Sequence, residues 1–377
     1  MALRIAVDVR RVRDFGIGTY IHGLLHALGA IDQDNEYLLV ALDADAQALA
    51  ALPANFNTIV YRRADSYALN HVAFPLFLHR LRPSVAHIPL SQAPLLMMDP
   101  YVVTVHDMAS LLFAGEGGAR MQARRFVLRR GLLRAKRIMA VSEATRRDVH
   151  DALGIPAENI RLAYNAPNPD FFQPAPDGKA REDILERYQI NYPFLLYAGN
   201  IRPQKNIPRL VEAFAVAREK LSQHPVYRDL HLIIIGDEIS RYPSVRRAVI
   251  QTRVEKAVRF LGFVSFEALR VFFESAALFV FPSLYEGFGL PPLEAMATGT
   301  PVVASNVSSL PEVLGNAALL VNPENVFEIA RAIQEALLDE DLRCELIANG
   351  RKQAARYSWD RTAREVLEVY REVGGSP

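Results

Sequence analysis

Two glutamates, Glu286 and Glu294, stand with seven residues between them in the run FPSLYEGFGLPPLEAMATGTPVVAS at residues 281–305. An apolar strand ends near Phe281, a loop carrying Gly287 and Gly289 follows, and Pro291 and Pro292 lead into the helical run LEAMA. Glycines let backbone amides approach a ligand closely, and a proline in the first helical turn sacrifices no hydrogen bond. The uncommitted amides at such a helix start form an anion site. One glutamate precedes the helix and the other lies in its early turns. Two carboxylates beside an anion site repel it unless they grip hydroxyl groups, and a sugar and a ribose supply those. Gly–Pro loops before helices are common, and two spaced glutamates alone carry little; the whole segment carries the reading.

A second run, GNIRPQKN, follows the apolar stretch FLLYA at residues 194–198 and brings Gly199, Arg202 and Lys205. Arginine offers a planar fork of donors and lysine a point charge, and both suit a diphosphate. A surface Arg and Lys are usually only solvated. Their place after the first strand of the second half singles these two out, because open α/β sheets bind ligands at the carboxyl ends of their strands.

The run EGFGLPPLEAMATGTPVVAS resembles the EX7E signature of family 4 of the retaining glycosyltransferases, which have the GT-B fold. The resemblance covers nearly the whole chain and implies specific roles. Glu286 would contact the transferred sugar near the reacting carbon, the amides of Phe288, Gly289 and Leu290 would hold the pyrophosphate, and Glu294 would bind the ribose hydroxyls. Arg202 and Lys205 would neutralise the departing nucleoside diphosphate, and Val264 in LGFVSFEAL would lie in the base-contacting loop. In the first half, Gly16 and Gly18 of DVRRVRDFGIGTY are expected in a loop before a helix, over the donor phosphates. His106, at the end of the strand YVVTV, resembles the family's cleft histidine and is expected to bind and orient; Asp107 either orients His106 or stabilises the following turn.

What the resemblance implies is sugar transfer from a nucleoside diphosphate to a glycan or lipid-linked acceptor hydroxyl with retention at the anomeric carbon, on a metal-independent site without a cofactor. GIGTY, VHDM, VSEATRRDV and the closing YSW resemble mannosyltransferase-like members acting on bacterial envelope polysaccharides, which points to GDP-mannose as donor. UDP-glucose and UDP-N-acetylglucosamine are the alternatives, as is a non-catalytic nucleotide-sugar-binding protein. A phosphorylase or a nucleotide-sugar epimerase shares the fold class, and fold alone does not separate them. The DAD at residues 43–45 reads as a turn rather than a metal site.

The elements that must position these residues follow from alternating apolar runs and helical patterns. Strands are expected at 4–9, 37–42, 84–88, 101–105, 137–141, 160–164, 194–198, 230–235, 258–263, 277–281, 301–304 and 318–321. Near-continuous apolar strands such as HLIII suit parallel sheets covered on both faces, and their alternation with helices suits βαβ units. The expected architecture is α/β: two Rossmann-like, doubly wound domains facing a central cleft. Residues 165–179, NAPNPDFFQPAPDGK, hold four prolines and read as the linker. The expected organisation is 1–170 for the acceptor domain, 171–358 for the donor domain, and 359–377 for a last helix, capped by Ser358, packing back on the first domain.

Of the 377 residues, 23% are charged and the net charge is +1, which gives no general attraction to nucleic acid. One local patch departs from this balance. From Arg120 to Arg137 the arginines and a lysine interleave with Phe126, Val127, Leu128, Leu132 and Leu133, the pattern of a basic amphipathic helix. A solvated helix face is the plain reading; attraction to an anionic membrane or a phosphorylated lipid acceptor is the sharper one, and the run HVAFPLFLHRLR at 71–82 could add to it. The single cysteine, Cys344, reads as a small apolar filler in a helix. The first nine residues run straight into Arg10 and Arg11, unlike a secretory leader, and no apolar run is long enough to span a bilayer. The expected location is cytoplasmic, at most peripheral to the membrane's inner face.

Overall fold

A computed structural model describes residues 2–14, 16–49, 51–63, 69–91, 93–113, 118–176, 178–237 and 239–375. It divides into two compact units, residues 1–166 with 357–377, and residues 167–356. The first contains β1 (Arg4–Asp8), α1 (Ile17–Ile31), β2 (Glu36–Ala41), β3 (Phe56–Val60), α2 (Asn70–Arg80), β4 (Val85–Ile88), β5 (Tyr101–Val105), α3 (Ala109–Leu112), α4 (Ala119–Arg134), β6 (Arg137–Ala140), α5 (Glu143–Leu153) and β7 (Ile160–Leu162). The second contains α6 (Gly178–Arg187), β8 (Phe194–Ala198), α7 (Ile207–Lys220), β9 (His231–Ile235), α8 (Pro243–Gln251), β10 (Val258–Gly262), α9 (Phe266–Ser275), β11 (Leu278–Phe281), α10 (Leu290–Thr298), β12 (Val302–Ser305), α11 (Leu310–Leu314), β13 (Leu319–Val321), α12 (Val326–Leu338) and α13 (Glu340–Ala354). The last helix, α14 (Trp359–Gly374), belongs to the first unit.

Each unit is built on one parallel sheet. The first runs β3-β2-β1-β4-β5-β6-β7 and the second β10-β9-β8-β11-β12-β13. In both, the order reverses at the first strand of the unit, between β1 and β4 and between β8 and β11. Strands such as FLLYA and HLIII are buried throughout, as strands covered by helices on both faces must be. β3 was absent from the expected strands. It pairs in register with β2 at the sheet edge and buries none of its residues fully, so FNTIV lacks the continuous apolar run that marks its neighbours.

The first crossing falls at 166/167, four residues before the expected 170/171, and Phe171, in the second unit on either division, is buried against Phe266 and Phe273. Arg270 also donates to the carbonyls of Gln173 and Pro174, at 2.9 and 2.7 Å. The second crossing falls at 356/357, since Tyr357 stacks edge-on against Tyr164 of the first unit. Ser358 caps α14 by accepting from the amide of Arg361 at 3.3 Å. Cys344 is exposed on α13 and fills no core space, a correction to its reading as filler. Asp45 is buried and ion-paired to Arg13 at 2.6 Å, which accounts for one acid of the DAD run.

Helix α14 buries Trp359, Ala363, Val366, Leu367, Val369 and Tyr370 in the core of the first unit, largely against α1. Gly23 makes this docking feasible: a Cβ there would lie 2.2 Å from Cε2 and 2.3 Å from Cδ2 of Trp359. Gly23→Ala is expected to destabilise the first unit by about 3 kcal/mol, the upper range of overpacking costs. Chemical denaturation would measure the loss, and hydrogen exchange would show it concentrated in α1 and α14.

Candidate active site

The second unit assembles its site at the strand-order reversal. β8 and β11 are neighbours, and the loops leaving their carboxyl ends carry the two sequence motifs. Gly199 and Gly236 let β8 and β9 end in close contact: a Cβ on Gly236 would meet the Gly199 carbonyl oxygen at 2.0 Å, and both glycines hold positive φ. Asp237 then accepts from the Ile201 amide at 3.1 Å and from the Tyr242 hydroxyl at 3.2 Å, fixing the turn before Arg202. Asn206, in a left-handed conformation at the start of α7, donates to the carbonyls of Pro282 and Pro323 at 3.0 and 2.7 Å. The Leu284 amide donates to the Gln204 carbonyl at 2.7 Å. The two loops are thereby laced together.

Lys205 Nζ lies 2.5 Å from Glu286 Oε1, and both side chains are largely buried. The lysine also lies 5.4 Å from the Phe281 ring centroid, and Phe281 stacks on Tyr197. Ser308 and Ser309 hold the glutamate's backbone: Ser308 Oγ donates to the Glu286 carbonyl at 2.5 Å, and Ser309 Oγ lies 3.0 Å from that oxygen and 2.9 Å from the Phe288 carbonyl. The Arg202 side chain is exposed and makes no hydrogen bond or ion pair among the described residues, while its carbonyl accepts from the Lys205 amide at 2.9 Å. Val264 sits in the turn after β10, the edge strand, with β9 between it and β8.

Gly289 has φ 100° at the start of α10, and a Cβ there would strike Leu310 at 2.6 Å. Its amide and that of Leu290 have no partner among the described residues, and the next two residues are prolines. Carbonyls engaged by serines on one side and uncommitted amides on the other make an anion-accepting helix start. Glu294, one turn further along, has no hydrogen-bond or ion-pair partner among the described residues. Desolvation in its half-buried position raises its carboxyl to about 7.

In the first unit, Gly16 stands just before α1 with φ 76°, but Gly18 lies within the helix, a correction to its expected place in a loop. A Cβ at Gly18 would come within 2.4 Å of the Val12 carbonyl oxygen, so this glycine serves the close approach of the loop to the helix. His106 follows β5. Its Nε2 lies 3.2 Å from the Pro89 carbonyl oxygen, which can only accept, so Nε2 carries the proton and Nδ1 presents a lone pair. Burial lowers its pKa to about 4, against the opposing charge of Asp107, so the ring is neutral near pH 7. Asp107 accepts from the Ala109 amide at 2.9 Å, which holds the turn into α3, while its charge also acts on His106. The Tyr20 ring meets His106 edge-on at 4.8 Å.

The profile of the family described as glycosyl transferases group 1 matches residues 180–353, and that of glycosyltransferase family 4 matches residues 16–171. The chain thus joins a glycosyltransferase family 4 domain to a glycosyl transferases group 1 domain. Among curated relatives, O-antigen chain mannosyltransferase B of Escherichia coli is 34% identical over 244 residues, 63% of this chain and 61% of that protein. The serotype-specific mannosyltransferase WbdA of Escherichia coli is 31% identical over 63% of this chain and 29% of its own length. The match thus spans less than two thirds of either relative. Among solved structures, sucrose-phosphate synthase from Thermosynechococcus elongatus superposes with a TM-score of 0.79 at 22% identity over 100% of both chains. Anabaena HepE in complex with UDP-glucose does so at 0.78 and 16% identity, over 98% of this chain and all of HepE. The two-domain α/β fold is that of the GT-B glycosyltransferases.

Sequence reasoning missed the residues that hold the motifs in place: Asn206, Asp237, Ser308 and Ser309. Asn206 stood inside a quoted motif, and its signal was an asparagine where the backbone must turn left-handed. The serines carry no such mark.

The unpartnered Glu294 predicts a stability that depends on pH. Its folded pKa, about 7, exceeds the ordinary 4.5, so the folded chain holds a proton that the unfolded chain releases between those values. Stability therefore falls as pH rises from 4.5 to about 7 and stays reduced above. Glu294→Gln is expected to match the parent near pH 4 and to exceed it above pH 7 by on the order of 1 kcal/mol, after allowance for the solvent that reaches a half-buried group. Thermal melts across pH 4–8 would measure the difference, and a constant offset would contradict it.

Proposed function

We propose that this glycosyltransferase moves mannose from GDP-mannose to a hydroxyl of a glycan or lipid-linked acceptor, with retention at the anomeric carbon and without a metal. The observation that carries the reading is the buried Lys205–Glu286 pair at the sheet's reversal point, beside the uncommitted amides that open α10. The mannosyltransferase relatives support the sugar, and the HepE complex with UDP-glucose supports a nucleotide-sugar donor.

On this reading the diphosphate takes the charge of Lys205, with Arg202 as a second cation, and the amides of Phe288, Gly289 and Leu290 complete its cradle. Glu286, released from the lysine, accepts from the hydroxyls of the sugar, and Glu294 accepts from those of the ribose. Gly199 leaves room for the phosphates, Val264 lies toward the base, and Gly16 and Gly18 shape the loop before α1. The anomeric C–O bond to phosphate breaks and the acceptor oxygen bonds to the same face of that carbon. The acceptor's proton passes to a phosphate oxygen of the leaving diphosphate. Negative charge grows on that phosphate as the bond breaks, so fixed cations and amides act on the transition state. A neutral His106 with an open Nδ1 lone pair suits accepting a donor hydroxyl rather than carrying charge.

The same reading extends to a membrane surface. On α4, Arg124, Arg125, Arg129, Arg130 and Arg134 are exposed together with Phe126 (63%) and Leu133 (44%), while Leu128 and Leu132 are buried. The side chain of Arg120 lies outside the described residues. Arg134 donates to the Met97 carbonyl at 3.1 Å, which brings up the exposed Leu96 and Met98. Cations around exposed apolar side chains suit an anionic bilayer. Among the described residues no helix is long and apolar enough to cross a membrane.

A binding and slow-hydrolysis screen against GDP-mannose, UDP-glucose and UDP-N-acetylglucosamine tests the donor. GDP-mannose is expected to bind and turn over selectively, and Lys205→Ala and Glu286→Gln are each expected to lower the rate by about 10²–10³-fold. Binding of none of the three overturns the reading, and binding without turnover would favour a non-catalytic role.

For the membrane, flotation with vesicles containing anionic lipid should carry the protein upward, and replacing Arg124, Arg125 and Arg130 with glutamine should abolish the effect. Recovery that does not depend on anionic lipid would refute the surface.

A further inference from the structure

Four polar side chains from four elements of the first unit form an unbroken buried line. Tyr370 of α14 places its hydroxyl 2.5 Å from His87 Nδ1 on β4. His87 Nε2 lies 2.8 Å from Thr104 Oγ1 on β5, and the Tyr20 hydroxyl of α1 lies 3.0 Å from the same oxygen. The Tyr20 ring in turn abuts His106, two residues beyond Thr104. All four residues are fully buried among the aliphatic side chains of the core. Burial and the neighbouring His106 hold His87 neutral, at a pKa of about 3.

Such a line is costly to bury unless every member is satisfied, and phenylalanine, leucine and valine would fill the same space without that risk. Here each hydroxyl and both imidazole nitrogens have partners. The geometry has a direction: its one end is the C-terminal helix and its other is the face of the ring that holds His106. His106 is fixed at two points, the Pro89 carbonyl and the Tyr20 ring. The second point is itself located by the Tyr20 hydroxyl on Thr104, whose β-branched side chain has little rotational freedom. Thr104 is held by His87, and His87 is kept from turning over by Tyr370.

We infer that Tyr370, His87, Thr104 and Tyr20 are positioning residues for His106, so that α14, the last helix of the chain, completes the first unit's contribution to catalysis. This rests on the proposed role of His106 in orienting the donor. Tyr370→Phe removes one hydroxyl and leaves the ring packing of α14 in place. His87 then loses its Nδ1 partner, and the line loosens toward His106.

The experiment has two arms. The first reads imidazole ¹⁵N resonances in selectively labelled, ligand-free protein. In the parent, His106 should be a single neutral tautomer protonated on Nε2; in Tyr370→Phe and Thr104→Val its resonances should shift toward tautomer mixing, while Thr104→Ser should restore the parent spectrum. The second reads transfer kinetics. Tyr370→Phe should lower kcat by on the order of tenfold with the donor KM little changed, and should have almost no effect when introduced into His106→Ala. An unmoved His106 resonance overturns the inference, as does a fall in kcat that persists undiminished in the His106→Ala background. The spectra need no substrate, so a chain that turned over no donor would fail the proposed function while the first arm still judged the positioning.

Discussion

A parallel, doubly wound sheet must reverse its strand order somewhere, and in the second unit it does so between β8 and β11. The connections leaving two such neighbours depart to opposite faces, and the carboxyl ends between them stay uncovered. Everything chemically distinctive in this unit gathers there. The loop after β8 brings a cation and the loop after β11 brings a carboxylate and the start of a helix. Asn206 and the Leu284–Gln204 hydrogen bond then tie the loops to each other rather than to solvent. Lys205 and Glu286 meet because the tied loops bring them side by side, and their mutual neutralisation is what allows two charges to sit largely buried at 2.5 Å.

The first unit repeats the reversal between β1 and β4 and furnishes it differently. At the end of β1, Asp8 takes both prongs of Arg10, at 2.8 and 2.7 Å, and the guanidinium lies 3.8 Å above the centroid of Phe74. That buried pair holds the chain as it leaves the sheet toward Gly16. β4 contributes His87, whose ring could be tolerated in an apolar core only with both nitrogens engaged. One partner comes from the adjacent strand and the other from a helix 283 residues away in sequence. The core of this unit is therefore closed by its own C-terminal segment, and Gly23 is small because Trp359 occupies the space a side chain would need.

What could be read in the sequence follows from this. Strands buried on both faces announce themselves as apolar runs, so FLLYA and HLIII were legible and the edge strand FNTIV, half solvated, was not. The loop motifs were legible because glycines, prolines and charges cluster over a few residues at strand ends. Two glycines in GIG suggest a loop; only the close approach of the Val12 carbonyl accounts for a glycine at position 18, in the first turn of α1. The polar line was illegible for a different reason. Tyr20, His87, Thr104 and Tyr370 each look like ordinary core or strand residues in their own surroundings. Only the parallel register that sets β4 beside β5, with α1 and α14 packed on them, makes them a group.

The two glutamates that first drew attention solve the burial of a carboxylate in opposite ways. Glu286 is neutralised by a lysine, and Glu294 stands without a partner and binds its proton more tightly for it. Neither arrangement serves the fold, since an apolar residue at either position would avoid the desolvation cost. On the proposed reading both are poised for the same event. A diphosphate that draws the charge of Lys205 leaves Glu286 in need of hydrogen-bond donors, and only a ligand that carries hydroxyls beside its phosphates supplies them. Glu294 likewise gains from ribose hydroxyls the donors the protein withholds. On that reading the site couples recognition of the phosphates to recognition of the sugars through one exchanged ion pair, and the desolvation its two carboxyl groups bear in the ligand-free state is part of what the donor offsets.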